Sequence, residues 1–256
     1  MHLSAIAYFD NGDAMIIDAH VHIKGGDIYR REFPPELIIK RMNEAGIDRS
    51  VVFSICLPSK ESNELTFKAV SRFPDKLIGF AHVLPQEGDV AVLELERAIM
   101  ELGFKGLKLH AGEFAQEYGF TVKLLEPVLE RAVKLKIPVL LDPISKFEPI
   151  LEMVNAFPEL KLIIAHLGSH NNEVVVSKFI GLASKHENLY LDTSWSDIPW
   201  KIKEAVEYAG ADKLIFGSDG PLYHPLVELT KIKVLKLSKE EEEMILGKNL
   251  LRLLRT

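Results

Sequence analysis

The segment MIIDAHVHIKG, Met15 to Gly25, ends an apolar run in two histidines two residues apart, with an aspartate two residues before the first. In a strand, residues i and i+2 point the same way, so Asp18, His20 and His22 are expected on one face. Neutral imidazoles bind zinc and related divalent ions, and two on one strand can clasp a single ion. Taken alone, H-x-H is short and common, and histidines hydrogen-bonded at a strand end explain it equally well. Its company raises the weight of the metal reading. FKGLKLH places Lys108 and His110 together, PVLLDP ends at Asp142, LKLIIAHLG reaches His166, and LIFGSDGP delivers Asp219. Each closes an apolar, β-branched run. Charged and imidazole groups at such positions are costly unless paired or coordinated, so their convergence in one pocket is the economical reading.

Each residue also has an ordinary structural role to weigh. Lys108 suits a snorkelling stem with its ammonium at a rim, and Asp219 in SDGP suits a turn. His82 fits a satisfied wall position, His170 faces either substrate or solvent, and His224 before Pro225 suits a helix cap. His2 and His186 are assigned nothing. Tyr118, Trp195 and Tyr223 fall in connecting loops and suggest an aromatic-lined pocket.

The elements that must position these groups alternate along the chain. Strands are expected at Met15–His22, Ser50–Ile55, Leu77–Val83, Gly106–Ala111, Pro138–Asp142, Lys161–His166, Leu189–Thr193 and Lys213–Gly217. Between them lie helical periodicities such as Val122–Lys136, which Pro127 should bend or re-register, and Ile202–Gly210. Gly46, Gly103 and Gly210 suit left-handed helix caps. Eight strand–helix units imply a parallel sheet. They favour an α/β fold of the single (β/α)8 TIM-barrel type over an open doubly wound sheet, since Gly25-Gly26 does not make a dinucleotide-binding turn. The barrel domain is expected over residues 15–256. Residues 1–14 form an N-terminal extension, either a plugging strand or a mere appendage. Ser238 and Glu241 form a capping box opening an extra C-terminal helix.

Composition narrows the partners. The 256 residues are 47% apolar and carry a net charge of −6 without single-sign blocks, so neither nucleic acid nor an anionic membrane is the expected partner. A single cysteine, Cys56, no secretory leader and no membrane-length apolar run point to the cytoplasm. A small molecule is the expected partner. A homo-oligomer is left open.

IIDAHVHI, GFKGLKLH, LIIAHLG, LIFGSDGP and ILGKNLLRLL, in this order, resemble the amidohydrolase superfamily, and most of all its amidohydrolase-related branch, amidohydrolase 2. The resemblance runs from Met15 to Leu254. It implies a (β/α)8 barrel with one divalent ion, zinc first and manganese or iron next. His20 and His22 would be ligands, Asp219 a ligand and proton acceptor, and His166 a catalytic histidine. Lys108 and His110 would be substrate-facing groups. Where many relatives place a fifth-strand histidine this chain has Asp142, which either substitutes as an oxygen ligand or marks a weakened metal site. The expected reaction is hydrolysis of a small organic substrate by metal-activated water. Non-oxidative decarboxylation, metal-independent lactone hydrolysis and a catalytically silent binding protein are the alternatives.

Overall fold

The computed structural model describes residues 15–113 and 117–254. The expected N-terminal extension, residues 1–14, lies outside them, as does His2. Strand and helix alternate as the periodicity requires: β1 (Ile17–Lys24), α1 (Pro35–Ala45), β2 (Arg49–Ser54), α2 (Ser59–Arg72), β3 (Leu77–Gly79), β4 (Ala81–His82), α3 (Asp89–Met100), β5 (Leu107–His110) and α4 (Val122–Leu135). The order continues with β6 (Val139–Asp142), α5 (Phe147–Ala156), β7 (Leu162–Ile164), α6 (Glu173–Ala183), β8 (Leu189–Asp192), α7 (Pro199–Ala209), β9 (Leu214–Ile215) and α8 (Pro225–Lys233). The third expected strand is thus broken at Phe80 into β3 and β4.

All strand pairs are parallel, in a three-stranded sheet β1-β2-β3 and a six-stranded sheet running β4 to β9 in sequence order. Backbone bonds cross both gaps between the sheets. Phe80 N donates to Val52 O and Ala81 N to Gly106 O, while Ala19 N donates to Phe216 O and His22 N to Gly220 O. A parallel bridge pairs Val21 with Gly220.

Side-chain alternation divides the core into two layers. Leu107, Leu109, Val139, Leu141, Leu162 and Ile164 pack outward against helical residues such as Leu95, Leu125 and Ile180. Residues of opposite parity, among them Phe53, Leu140, Ile163 and Ile215, form a separate inner cluster. Lys108, His110 and Asp142 share that inner parity and extend it to the carboxyl ends of the strands.

β1 departs from simple alternation. Its register shifts between Asp18 and Val21. Before the shift Ile17 and Ala19 belong to the inner cluster; after it Val21 and Ile23 belong to the outer one. An irregularity of this kind changes the inward parity. His20 and His22 therefore face inward together and Asp18 does not join them, contrary to the period-two expectation.

α4 continues through Pro127 as one helix. Gly46 caps α1 in the left-handed conformation, whereas Gly210 combines a positive φ with an extended ψ of 145° and is no such cap. The capping box is present: Glu241 N donates to Ser238 Oγ and Ser238 N to Glu241 Oε2. It opens α9 (Lys239–Glu243), followed by a π-helical stretch (Met244–Lys248) and α10 (Asn249–Leu254). Leu250 and Leu253 from this tail complete the inner cluster.

Candidate active site

The inner-facing polar groups meet where the strands end. His22 Nε2 lies 2.9 Å from Asp219 Oδ1, and His20 Nε2 lies 3.4 Å from the same oxygen. One donor atom from each of His20, His22 and Asp219 falls within 4.8 Å of the others, and all three residues are buried. β1 aims its histidines directly. Asp219 arrives differently: it follows β9 and takes a left-handed backbone, φ 58°, which turns its carboxylate back over the strand ends. His166 does the same after β7, with φ 59°. Such conformations are strained for residues with a side chain and concentrate where geometry serves a site.

Around this cluster stands a second set of contacts. Asp192, the last residue of β8, holds His20 Nδ1 at 2.6 Å, and its other oxygen accepts the Ser194 N–H at 2.8 Å. A carboxylate only accepts here, so the His20 proton resides on Nδ1 and the Nε2 lone pair faces the cluster. Ser194 Oγ donates to Asp192 Oδ2 at 2.7 Å and stands 3.0 Å from His166 Nδ1. Lys108, fully buried, brings Nζ within 3.2 Å of His20 Nε2. Asp142 lies beside His110 and His166, at 3.4 and 3.7 Å from their Nε2 atoms. It groups with His166 and His170 rather than with the His20–His22–Asp219 triad.

Burial sets the protonation pattern. It lowers the basicity of His20, His166 and His110, and brings His22 to about 3, so the imidazoles are neutral near pH 7 with lone pairs to offer. Burial likewise depresses the Lys108 ammonium against the pull of the surrounding carboxylates. Asp219 is pushed up to about 7 by burial. Asp142 resists the same effect: His166, His110 and Lys108 hold it at about 2, a permanent anion among bases.

The remaining expectations resolve one by one. Asp18 accepts the backbone N–H of His20 and Ser218 and the Ser218 hydroxyl, pinning β1 to the segment after β9. His82 is a buried, partnered wall residue: Nδ1 meets Lys108 O at 3.0 Å and Nε2 lies 2.9 Å from Glu113. His224 caps α8 by accepting the Leu226 N–H. His170 faces inward, its ring 4.4 Å from His166 and 3.9 Å from Trp195, and Tyr223 stacks on Trp195 at 5.1 Å. This aromatic ladder walls one side of the site. Tyr118 is largely exposed. Sequence reasoning missed Asp192, although it closes NLYLD as Asp142 closes VLLD. It also missed Ser194 and Glu113, which follow strands and carry no periodic signal.

Comparison with known proteins agrees with this architecture. The family model described as Amidohydrolase matches residues 17–256, and the chain belongs to that family. It is an enzyme of the amidohydrolase superfamily, whose structural neighbours are TIM barrels. The gamma-resorcylate decarboxylase of Polaromonas sp. (strain JS666 / ATCC BAA-500) is 22% identical over 249 residues, spanning 72% of this chain and 76% of the relative. A 2,6-dihydroxybenzoate decarboxylase from Rhizobium superposes with a TM-score of 0.75 at 18% identity, covering 94% of this chain and 99% of that one. The 5-carboxyvanillate decarboxylase of Novosphingobium aromaticivorans DSM 12444, solved with manganese and 4-hydroxy-3-methoxy-5-nitrobenzoic acid, gives 0.73 at 15% identity, covering 96% and 97%. These findings overturn the expectation of a hydrolase: the relatives are mainly decarboxylases. Two histidines and a carboxylate around a cation serve either reaction, so the site motifs could not separate them. Zinc receives no specific support from these relatives; the metal named with one of them, the 5-carboxyvanillate decarboxylase, is manganese. No helix among the described residues is long and apolar enough to cross a membrane.

Proposed function

We propose that this chain is a metal-dependent, non-oxidative decarboxylase of a small, planar carboxylic acid. The observation that carries this reading is the buried convergence of His20 Nε2, His22 Nε2 and Asp219 Oδ1, on a chain whose relatives are mainly decarboxylases. The donor set fits a divalent ion. Both imidazoles are neutral, Asp192 leaves the His20 lone pair on the inward nitrogen, and Asp219 adds an oxygen. A mixed nitrogen and oxygen set admits manganese or iron as readily as zinc, and the manganese in the relatives favours manganese here.

Bound at His20, His22 and Asp219, the ion would supply positive charge to fix the substrate carboxylate and an adjacent oxygen. Lys108 adds a second cationic group beside His20. Asp219 holds the proton delivered to carbon: as the carbon–carbon bond breaks, its electron pair stays on the carbon, which takes the proton from the Asp219 carboxyl while carbon dioxide leaves. His166, its ring 4.9 Å from that of His20, would orient the substrate beside them. The His170–Trp195–Tyr223 ladder stacks a planar body and excludes water. Asp142 anchors His110 and His166 rather than the ion.

In the same reading residues 15–256 are one domain, in which the two sheets close as a single eight-unit barrel. The Ala19–Phe216, His22–Gly220 and Phe80–Val52 backbone bonds support closure. The free thiol of Cys56 suits a cytoplasmic location.

The experiment is a carbon dioxide release assay with manganese-loaded protein over a panel of hydroxylated aromatic acids, 2,6-dihydroxybenzoate included. Release that chelator abolishes and manganese restores is the expected result. Full metal loading without release on any acid, or turnover by net addition of water, overturns the proposal.

A further inference from the structure

Glu228 and Lys231 lie one turn apart on α8, outside the strand-end cluster, and the proposed reaction uses neither. Glu228 is buried, with both carboxylate oxygens out of reach of solvent. A carboxylate in such a place is costly unless it is paired. Its partner is Lys231, whose Nζ lies 2.8 Å from Oε1. Burial pushes the Glu228 carboxyl up, against the Lys231 ammonium and the nearby Trp195 backbone N–H. The side chain thus sits against the backbone of the loop that follows β8.

Lys231 binds the same loop. Its ammonium donates to the Ser196 carbonyl at 3.0 Å, across 35 residues of chain, and stands 6.0 Å from the centre of the Tyr223 ring, at the edge of cation–π range. A pair that served α8 alone would have no need of a carbonyl on another element.

That loop carries a conformation that needs restraint. Trp195 has φ 45°, where a bulky side chain is strained and persists only if its surroundings over-determine it. Before it, Ser194 N is held by Asp192 Oδ1 at 2.8 Å. After it come the Lys231 bond to Ser196 O and a 3.3 Å bond from Asp197 N to His170 O. Between these restraints the Trp195 ring lies 3.9 Å from that of His170 and 5.1 Å from that of Tyr223.

We propose that Glu228 and Lys231 are positioning residues for the wall of the site. Lys231 clamps the Ser196 carbonyl and so keeps Trp195 in its left-handed turn, with its ring between His170 and Tyr223. Glu228 holds the ammonium where it can do so. Neither residue touches the reacting atoms. The decarboxylase reading enters only for what the wall stacks against.

The test uses Trp195 as its own reporter. The chain has two tryptophans, and Trp200 is 69% exposed, so Trp200→Phe leaves Trp195 as the single indole fluorophore. In that background, acrylamide quenching of Trp195 should rise at least about twofold in Lys231→Met. Lys231→Met alone strands a buried carboxylate, so Glu228→Gln/Lys231→Met is the second variant: it removes the stranded charge and still lacks the donor to Ser196. A clamp keeps the quenching high in the double variant; a pair that only stabilises α8 lets it return to the parent value. On the acid that the manganese-loaded parent decarboxylates, the double variant should raise KM about three- to tenfold with kcat within about twofold. Parent-like quenching or parent-like KM in the folded double variant would overturn the inference. Raised quenching in a chain that releases carbon dioxide from no acid refutes the decarboxylase reading alone; release with unaltered quenching refutes this inference alone.

Discussion

Replacing Asp192 with asparagine tests whether a residue outside the ligand cluster sets its chemistry. Asp192 is fully buried and accepts from three donors: His20 Nδ1 at 2.6 Å, Ser194 Oγ at 2.7 Å and Ser194 N at 2.8 Å. Asparagine keeps the shape but cannot satisfy all three. With its oxygen toward His20, its amide NH2 opposes the Ser194 N–H. With the amide reversed, it donates to His20 Nδ1 and drives the proton to Nε2, the atom that faces Asp219. A charge-assisted bond contributes about 1.5–3 kcal/mol against about 0.5–1.5 for a neutral one, so the loss at His20 is about 1–1.5 kcal/mol before the tautomer is counted. Loss of a carboxylate that orients a ligand histidine generally weakens metal affinity about 10–100-fold, and that range is expected for manganese here. The metal-free fold should hardly change, because removing a buried charge also removes its desolvation cost. Chelator-competition titration gives the affinity, and thermal unfolding of the metal-free protein gives the control. Manganese affinity within about twofold of the parent would refute the argument that Asp192 fixes the His20 tautomer. So would an affinity loss matched by equal destabilisation of the metal-free protein.

Three further outcomes follow from the same geometry. Gly168 has φ +88°, and a Cβ there would lie 2.0 Å from Phe179 Cδ2; Gly168→Ala combines backbone strain with overpacking and should cost about 2–5 kcal/mol in denaturant unfolding. Because His82, His110 and the Cys56 amide hold Glu113 down at about 2 in the folded chain, its charge contributes stability on the order of 3 kcal/mol, fully present above its ordinary range near 4.5 and lost as pH falls through about 2. Unfolding followed from pH 6 to 2 should show that loss, and Glu113→Gln should flatten it. Manganese at about 100 times its dissociation constant should add about 2.7 kcal/mol to the unfolding free energy of the parent; His22→Ala should show almost none of that increment in the same thermal melts.

What the sequence disclosed about the site follows the reach of period-two logic. Lys108, His110 and Asp142 lie within regular strands, so alternation against Leu107, Leu109 and Leu141 places them inward without a structure. Asp18 breaks the rule because the register of β1 shifts between it and Val21, and no residue type in DAHV announces such an irregularity. His166 and Asp219 were found as polar residues closing apolar runs, but their aim comes from left-handed backbone, which residue type alone does not specify. Asp192 carried the same strand-end signal as Asp142 and was passed over. Its partner His20 is 172 residues distant, and such pairing is set by topology rather than by spacing. Glu113 lies in a short turn after β5, where only the fold shows that it meets His82 and the Cys56 amide.

The reaction itself was misjudged for a related reason. Hydrolysis and decarboxylation both need a cation to hold an oxyanion and a buried group to carry a proton, and a cluster such as His20, His22 and Asp219 could hold the one and carry the other for either. The choice between them depends on which substrate atom is presented to Asp219. In hydrolysis a water must stand between the metal and the scissile carbonyl; in decarboxylation the substrate's own oxygens occupy that space and its carbon faces the acid. On the decarboxylase reading, orientation of that kind would fall to groups beyond the strand ends, such as the wall of His170, Trp195 and Tyr223. These groups lie on connecting segments, where side-chain periodicity carries no positional information. The residues that determine which bond breaks are therefore expected in the loops, and exchanging Trp195 should alter substrate preference more than exchanging any apolar strand residue of the inner core.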